Sequence, residues 1–217
     1  MAAKSLQTIE ELLISSLPRE LVLSVEEGLG VGANLAFQAA SGMRDGHLSN
    51  VVGQMRHFHM NETFADALES VGATPSPVRG NALVVGRAGV FQIARFNVNQ
   101  GPWYNAKRSS LRRKLAEANR SIEPLVQPNL FETVEPTTIL ATVFFVAVFS
   151  GSITLHPEFP VDVQIAVPDS RMHNWLYCES IGKFVQEYDS VIVQEDKANP
   201  ALKTNARKKQ FNEGELS

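Results

Sequence analysis

The chain holds one cysteine, Cys178, among 217 residues. It therefore forms no internal disulfide, and a single thiolate is too few for a zinc cluster within the chain. Long apolar runs are missing too. The longest, Ile139–Phe149, is about half of the ~20 residues needed to cross a bilayer. Met1 to Glu11 carry Lys4, Glu10 and Glu11 and lack the apolar centre of a secretory signal. Neither sign of charge dominates: 20 basic and 23 acidic side chains leave a net charge of −3. The molecule as a whole is thus no polycation drawn to nucleic acid or anionic lipid. Internal repeats, low-complexity tracts and a Gly-x-Ser-x-Gly nucleophile elbow are also absent. These absences lead us to expect a soluble, cytoplasmic protein with no membrane partner, on which any basic site is local.

What is present suits a globular core, with 44% hydrophobic and 20% charged residues. Leu6, Ile9, Leu13 and Leu17 fall at helical spacing and Pro18 stops the run, which predicts a helix over 5–16. A long, mostly buried helix is expected from Arg19 to about Ser41. Ser49 is placed to cap a short helix to Phe58, and Asn61 to cap a second over 62–71, closed by Gly72. The texture changes at Asn81. ALVVG and VFQIARFNV are β-branched and aromatic runs joined around Arg87-Ala88-Gly89, a hairpin signature. The apolar phase slips between Ile93 and Phe96, which predicts a bulge or burial on both faces. A helix over 107–121 follows, then a proline-punctuated segment to Pro136. TTILATVFFVAVFSG and VDVQIAV read as strands paired across the loop at 150–160. Tyr177, Ile181, Phe184 and Tyr188 predict a last helix over 171–188, and 190–194 reads as a further strand. The expectation is an α+β fold: one domain over 1–194, helical over 1–74 and sheet-containing over 80–194, with a polar tail at 195–217.

Several residue patterns carry possible chemistry. Gly28, Gly30 and Gly32 invite comparison with a dinucleotide loop, but Glu26 and Glu27 precede them and would repel phosphate. Close helix packing is the better reading. His57 and His59 would share a face only on a strand, and no third ligand accompanies them. Cys178 borders an apolar stripe, where a free cysteine behaves as a small hydrophobe. Asp169, Glu195 and Lys197 mimic the acid, acid and lysine of a metal-dependent nuclease, although Asp169 also stands where a helix N-cap belongs. No catalytic residue, metal site or cofactor is assigned.

The 107–120 stretch is more informative. Lys107, Arg108, Arg112, Arg113, Lys114 and Arg120 stand against one acid, Glu117. Trp103 and Tyr104 just upstream are placed to stack on a base. The plain reading is a solvated face; the functional one is contact with nucleic acid or an acidic partner. A winged helix made of 49–58, 62–71 and the hairpin 82–98 is disfavoured, because Glu62, Asp66 and Glu69 would meet phosphate.

Gln127-Pro128-Asn129-Leu130-Phe131 completes the set. It resembles the short peptide by which many bacterial replication and repair proteins dock on the DNA polymerase sliding clamp. In such a peptide Leu and Phe fill an apolar pocket while the Gln amide satisfies polar groups at its edge. Flanking prolines lower the ordering cost. The resemblance spans five residues and implies a partner-binding role for Gln127, Leu130 and Phe131, with the clamp as the partner. Leu130 and Phe131 plugging the core beneath their loop is the competing reading. The expected function is a non-enzymatic, toxin-like regulator of bacterial or phage origin that blocks DNA replication at the clamp. A nucleic-acid-binding protein or nuclease, and an accessory or immunity protein without chemistry, are the alternatives.

Overall fold

Thr8 opens the first helix with a reciprocal cap: its hydroxyl accepts from the Glu11 amide, and the Glu11 carboxylate accepts from the Thr8 amide. The computed structural model describes residues 8–101, 103, 106–126, 140–151 and 158–196, with side chains to 189 in the last helix. Helix α1 (Ile9–Ser16) ends ahead of Pro18, as its sequence predicts, and α2 (Arg19–Ala40) begins at Arg19. Leu21, Val25, Leu29, Ala33 and Ala36 form the buried face of α2. Gly28 and Gly32 face α3 (Asp45–Ser70). A β-carbon on Gly32 would lie 2.7 Å from Met60 Cα, and one on Gly28 would lie 2.9 Å from Thr63 O. The two glycines let the helix backbones touch, and they sit inside a helix rather than in a phosphate-binding loop.

Helix α3 corrects the expected pair of short helices. It runs unbroken through Asn61, which is 1% exposed and caps nothing. The Asn61 side-chain oxygen accepts from Arg95, and its amide nitrogen donates to Ala82 O at 3.1 Å. These remote partners replace the local cap that an asparagine otherwise offers. With no helix pair, the winged-helix arrangement falls away. Gly72 closes α3 at φ +76°. There the Ala73 amide donates to Leu68 O and the Gly72 amide to Glu69 O, a Schellman ending.

Gly89, at φ +52°, turns the hairpin between β1 (Val85–Ala88) and β2 (Phe91–Asn99). Strand β3 (Ala141–Phe149) runs parallel to β2 in unbroken register from Phe91↔Ala141 to Asn99↔Phe149. Antiparallel β4 (Asp162–Pro168) and β5 (Trp175–Ser180) complete a five-stranded sheet in the order β1-β2-β3-β4-β5. The expected pairing of the two apolar runs across 150–160 is the β3–β4 pair. The phase slip in β2 is burial on both faces. Phe91, Ile93, Phe145 and Ile165 pack under the helices, while Ala94, Phe96, Phe144 and Ala166 pack under the chain that crosses from β2 to β3.

The expected helix over 171–188 is corrected. Residues 175–180 form β5, and α5 (Ile181–Asp196) starts only at Ile181 and includes the stretch expected as a strand over 190–194. Aromatic, β-favouring residues find the open edge of β4, and that pairing overrides the helical spacing of Tyr177 and Ile181. The crossover is corrected as well. Among the described residues its only α-helix is α4 (Ser110–Ala116), flanked by 3₁₀ turns at Ala106–Arg108, Glu117–Ser121 and Glu123–Leu125. Asn119, fully buried, fastens it to the sheet. Its side chain accepts from the Thr142 amide at 2.5 Å and donates to Thr142 O at 3.0 Å and to Pro168 O at 2.8 Å. One side-chain amide thereby stands in where the β3–β4 ladder ends. The architecture is α+β, a helical half followed by a mostly antiparallel sheet. No helix among the described residues is long and apolar enough to cross a membrane.

Candidate functional site

The turn from β4 to β5 is built on Asp169. One carboxylate oxygen accepts from the amides of Arg171 and His173, each at 2.9 Å. The other accepts from the Asn174 amide at 2.9 Å and from its side chain at 3.3 Å. Burial pushes this carboxyl up, but the three backbone amides and the Asn174 side chain outweigh it and hold the group below its ordinary range. Asp169 is therefore the capping acid of a turn, not of a helix.

At the apex Met172 adopts φ +55°, a left-handed conformation that a non-glycine residue takes only where its surroundings impose it. The cause lies beneath it. The Met172 side chain is buried with Phe96, Ala106, Ala116 and Phe144. Anchoring it turns Arg171 and His173, on either side, out to solvent. The Ser170 amide donates to Glu123 Oε1 at 2.7 Å and so locks the turn against the crossover.

The opposite wall is the crossover itself. Ser109 caps α4 by accepting from the Arg112 amide at 3.4 Å. Arg113 and Arg120 are exposed and face Arg171 and His173 across an open cleft of about 790 Å³. Among the described residues three arginines line it against one carboxylate, Glu117. A second cleft of about 650 Å³ adjoins it and shares Arg120, Ser170, Arg171 and His173. That one includes Glu123 and Asp169, whose charges are partly taken up by backbone amides. Its rim also includes Val126, 46% exposed, the last described residue before the Gln127–Phe131 peptide. A cleft with these side chains can hold an extended anion, each guanidinium meeting one phosphate in a bidentate pair.

The six basic residues singled out by sequence do not share one helix face. Arg113 and Arg120 reach the cleft, Lys107 and Arg108 lie on the preceding 3₁₀ turn, and Lys114 is exposed on α4. Arg112 turns inward, its guanidinium 4.6 Å from the centroid of the Phe96 ring, and burial lowers its pKa. Arg171 and His173 were missed by sequence reasoning. The Pro-Asp-Ser and His-Asn signals around them mark a turn, but the apolar spacing further on favours a helix.

Gln127, Leu130 and Phe131 lie outside the described residues, as does Lys197, and Glu195 is described only as backbone near the end of α5. Asp169 is occupied by its turn, and no cluster of three His, Cys, Asp or Glu side chains among the described residues is placed to hold a metal ion. His59 Nδ1 lies 3.2 Å from Glu62 Oε2, and His57 is held below its ordinary pKa by burial and by Arg95. Cys178 sits on a strand, not a helix, beside Gln164 Oε1 at 3.5 Å. Cys178 is exposed, but partial desolvation of the sulfur, with Glu179 and Asp162 nearby, pushes the thiol up to about 11. Such a thiol stays protonated and is a poor nucleophile. Comparison with protein-family models, with curated proteins and with solved structures returns no match.

Proposed function

We propose that this chain is a non-enzymatic regulator that acts by binding: Gln127, Leu130 and Phe131 dock on the sliding clamp of a bacterial replication machinery, and the arginine cleft rests on nucleic-acid backbone. The observation that carries this reading is the position of Val126. It lines the cleft with Arg120, Arg171 and His173, beside Glu123 and Asp169, and the clamp-like peptide follows it in the sequence. A clamp encircles duplex DNA, and a ligand seated on it holds neighbouring cations close to phosphate. Occupying the peptide pocket of the clamp excludes the polymerase and stops replication, a toxin-like effect that needs no chemistry.

A second reading, nucleic-acid binding without the clamp, is favoured by the convergence of Arg113, Arg120 and Arg171 alone. Calorimetric titration with a purified bacterial clamp separates the two. Wild type is expected to bind at about micromolar affinity. Gln127→Ala and Leu130→Ala/Phe131→Ala are expected to lose that binding while circular dichroism stays unchanged. Arg113→Glu/Arg120→Glu should keep clamp binding without DNA. Against duplex DNA it should flatten the slope of log affinity on log salt by about two. A wild type that ignores the clamp but binds DNA with that slope refutes the first reading and leaves the second. A wild type that binds neither removes both.

A further inference from the structure

Arg95 on β2 is 2% exposed and ties the strand to α3. Its Nε and Nη2 donate to Asn61 Oδ1 at 3.0 and 2.7 Å, and Nη2 also donates to His57 O at 2.7 Å. A guanidinium has only donors, so the Asn61 oxygen must face it and the Asn61 NH₂ group must face the other way. There the NH₂ group meets Ala82 O at 3.1 Å and His57 Nε2 at 3.4 Å. An amide NH₂ only donates, so Nε2 is the accepting nitrogen and the imidazole proton sits on Nδ1. That N–H in turn donates to the backbone carbonyl of Asn81. One orientation thus passes from Arg95 through Asn61 to His57 and fixes the tautomer of the ring.

The two carbonyls at the far end of this chain, Asn81 O and Ala82 O, belong to the segment that leads into β1. Neutral His57 and Asn61 hold that segment against α3. A second proton on His57 has no place in the arrangement. It would set Nε2–H against the Asn61 NH₂ group, donor to donor, and put a positive charge near the buried guanidinium. Asn61 cannot turn over to offer its oxygen, because Arg95 holds that oxygen with two hydrogen bonds. Burial first, and the field of Arg95 second, keep the ring neutral, and together they outweigh the Asn81 carbonyl, which favours the cation. Among the described residues Arg95 is the charged group whose field reaches the ring, and α2, packed on α3 at Met60 and Thr63, brings none. On α3 itself Phe58 stands edge-on with ring centroids 5.6 Å apart, Arg56 stacks on Phe149, and His59 faces Glu62. The half-buried His57 borders an open cleft of about 810 Å³ that Gln54, Phe58 and Asn81 also line, so a protonated ring has room to swing out.

We propose that His57 is a pH-operated latch: as a neutral ring it closes the Asn81–Ala82 segment onto α3, and on taking a second proton it swings into the cleft and lets that segment open. The latch is separate from the arginine cleft and does not depend on the clamp reading.

The closed state favours the neutral ring, so the latch is shut above the ordinary histidine value of 6.5 and weakens as pH falls below it. Opening should rise by up to about tenfold per pH unit in that range, until the closed state itself takes the proton. An NMR titration of the full chain follows each imidazole, with His57 identified by the signal missing from His57→Gln. His57 is expected to titrate below 6.5 and to carry its single proton on Nδ1 above that. Amide hydrogen exchange over residues 79–84 reads the opening, taken as the ratio of wild type to His57→Gln at each pH so that the intrinsic dependence cancels. Glutamine offers a donor and an acceptor but does not titrate, so the ratio is expected to grow at least about threefold between about pH 7.5 and 5. Asn61→Asp reverses the logic. Its carboxylate accepts from Arg95 and offers Nε2–H an acceptor as well, so His57 should then titrate above 6.5. A wild-type His57 that titrates at or above 6.5 overturns the proposal. So does a proton on Nε2 at neutral pH, an exchange ratio that stays flat with pH, or a folded Asn61→Asp whose His57 titrates no higher than in wild type. The wild-type titration and the exchange ratio decide the matter even if Asn61→Asp fails to fold.

Discussion

Replacing Gly32 by alanine is expected to destabilise the protein, although the same change strengthens an isolated helix by about 0.8–1.0 kcal/mol. The reason is the contact between α2 and α3. A β-carbon on Gly32 would stand 2.5 Å from Thr63 Oγ1, 2.7 Å from Met60 Cα and 2.9 Å from Met60 N. Two of these atoms are backbone and cannot rotate away, so α3 must withdraw by about 1 Å to reach ordinary contact. Overpacking of that kind costs about 1–3 kcal/mol, and a backbone clash belongs near the top of the range. After the helix gain is subtracted, Gly32→Ala should lose about 1–2 kcal/mol. Gly53 is the control, because an added β-carbon there meets nothing within 4 Å. Gly53→Ala should gain about 1 kcal/mol from propensity and from a stiffer unfolded chain. Two identical substitutions in neighbouring helices should thus differ by about 2–3 kcal/mol with opposite signs. In a chain of this size that separates their melting temperatures by about 4–12 °C. Urea unfolding followed by circular dichroism measures both, and equal slopes would confirm that stability alone has changed. A Gly32→Ala protein as stable as Gly53→Ala would refute the helix contact.

Two further outcomes follow from buried polar groups. Asn119→Ala strands the Thr142 amide and two carbonyls, Thr142 O and Pro168 O, in the core. It should cost about 2–3 kcal/mol and lower the melting temperature by about 4–12 °C; an unchanged transition would mean that the amide is not what fastens the crossover. Asp169 has a folded-state pKa below its ordinary 3.8, so its contribution is full above that value and lost as pH falls through the folded pKa. Asp169→Ala should therefore melt below wild type at neutral pH, with a gap that closes on acidification. Melting curves between about pH 2 and 7 test it, and a gap independent of pH would contradict the turn hydrogen bonds.

Whatever depends on neighbours a few residues apart was legible from the chain. Pro18 ends α1, the apolar spacing of Leu21 to Ala36 makes α2, Gly72 closes α3 and Gly89 turns the hairpin. These are local steric and periodic effects, carried by the residues concerned. The runs TTILATVFFVAVFSG and VDVQIAV read as strands, because β-branched and aromatic residues repeat in them, and β3 and β4 form there. The α+β class follows from these elements alone.

Where partners lie far along the chain, only the tertiary structure decided. Asn61 has the local properties of an N-cap, yet Arg95, 34 residues away, takes its oxygen and lets α3 run on. Tyr177 and Ile181 have helical spacing, yet the open edge of β4 draws 175–180 into the sheet. That pairing leaves 169–174 as a turn, Met172 anchors it, and Arg171 and His173 come to face Arg113 and Arg120. Sequence determined that cations were concentrated near 107–120. Which of them form a site depended on strand pairing and burial, energies set by contacts across the fold and invisible to any short window of residues.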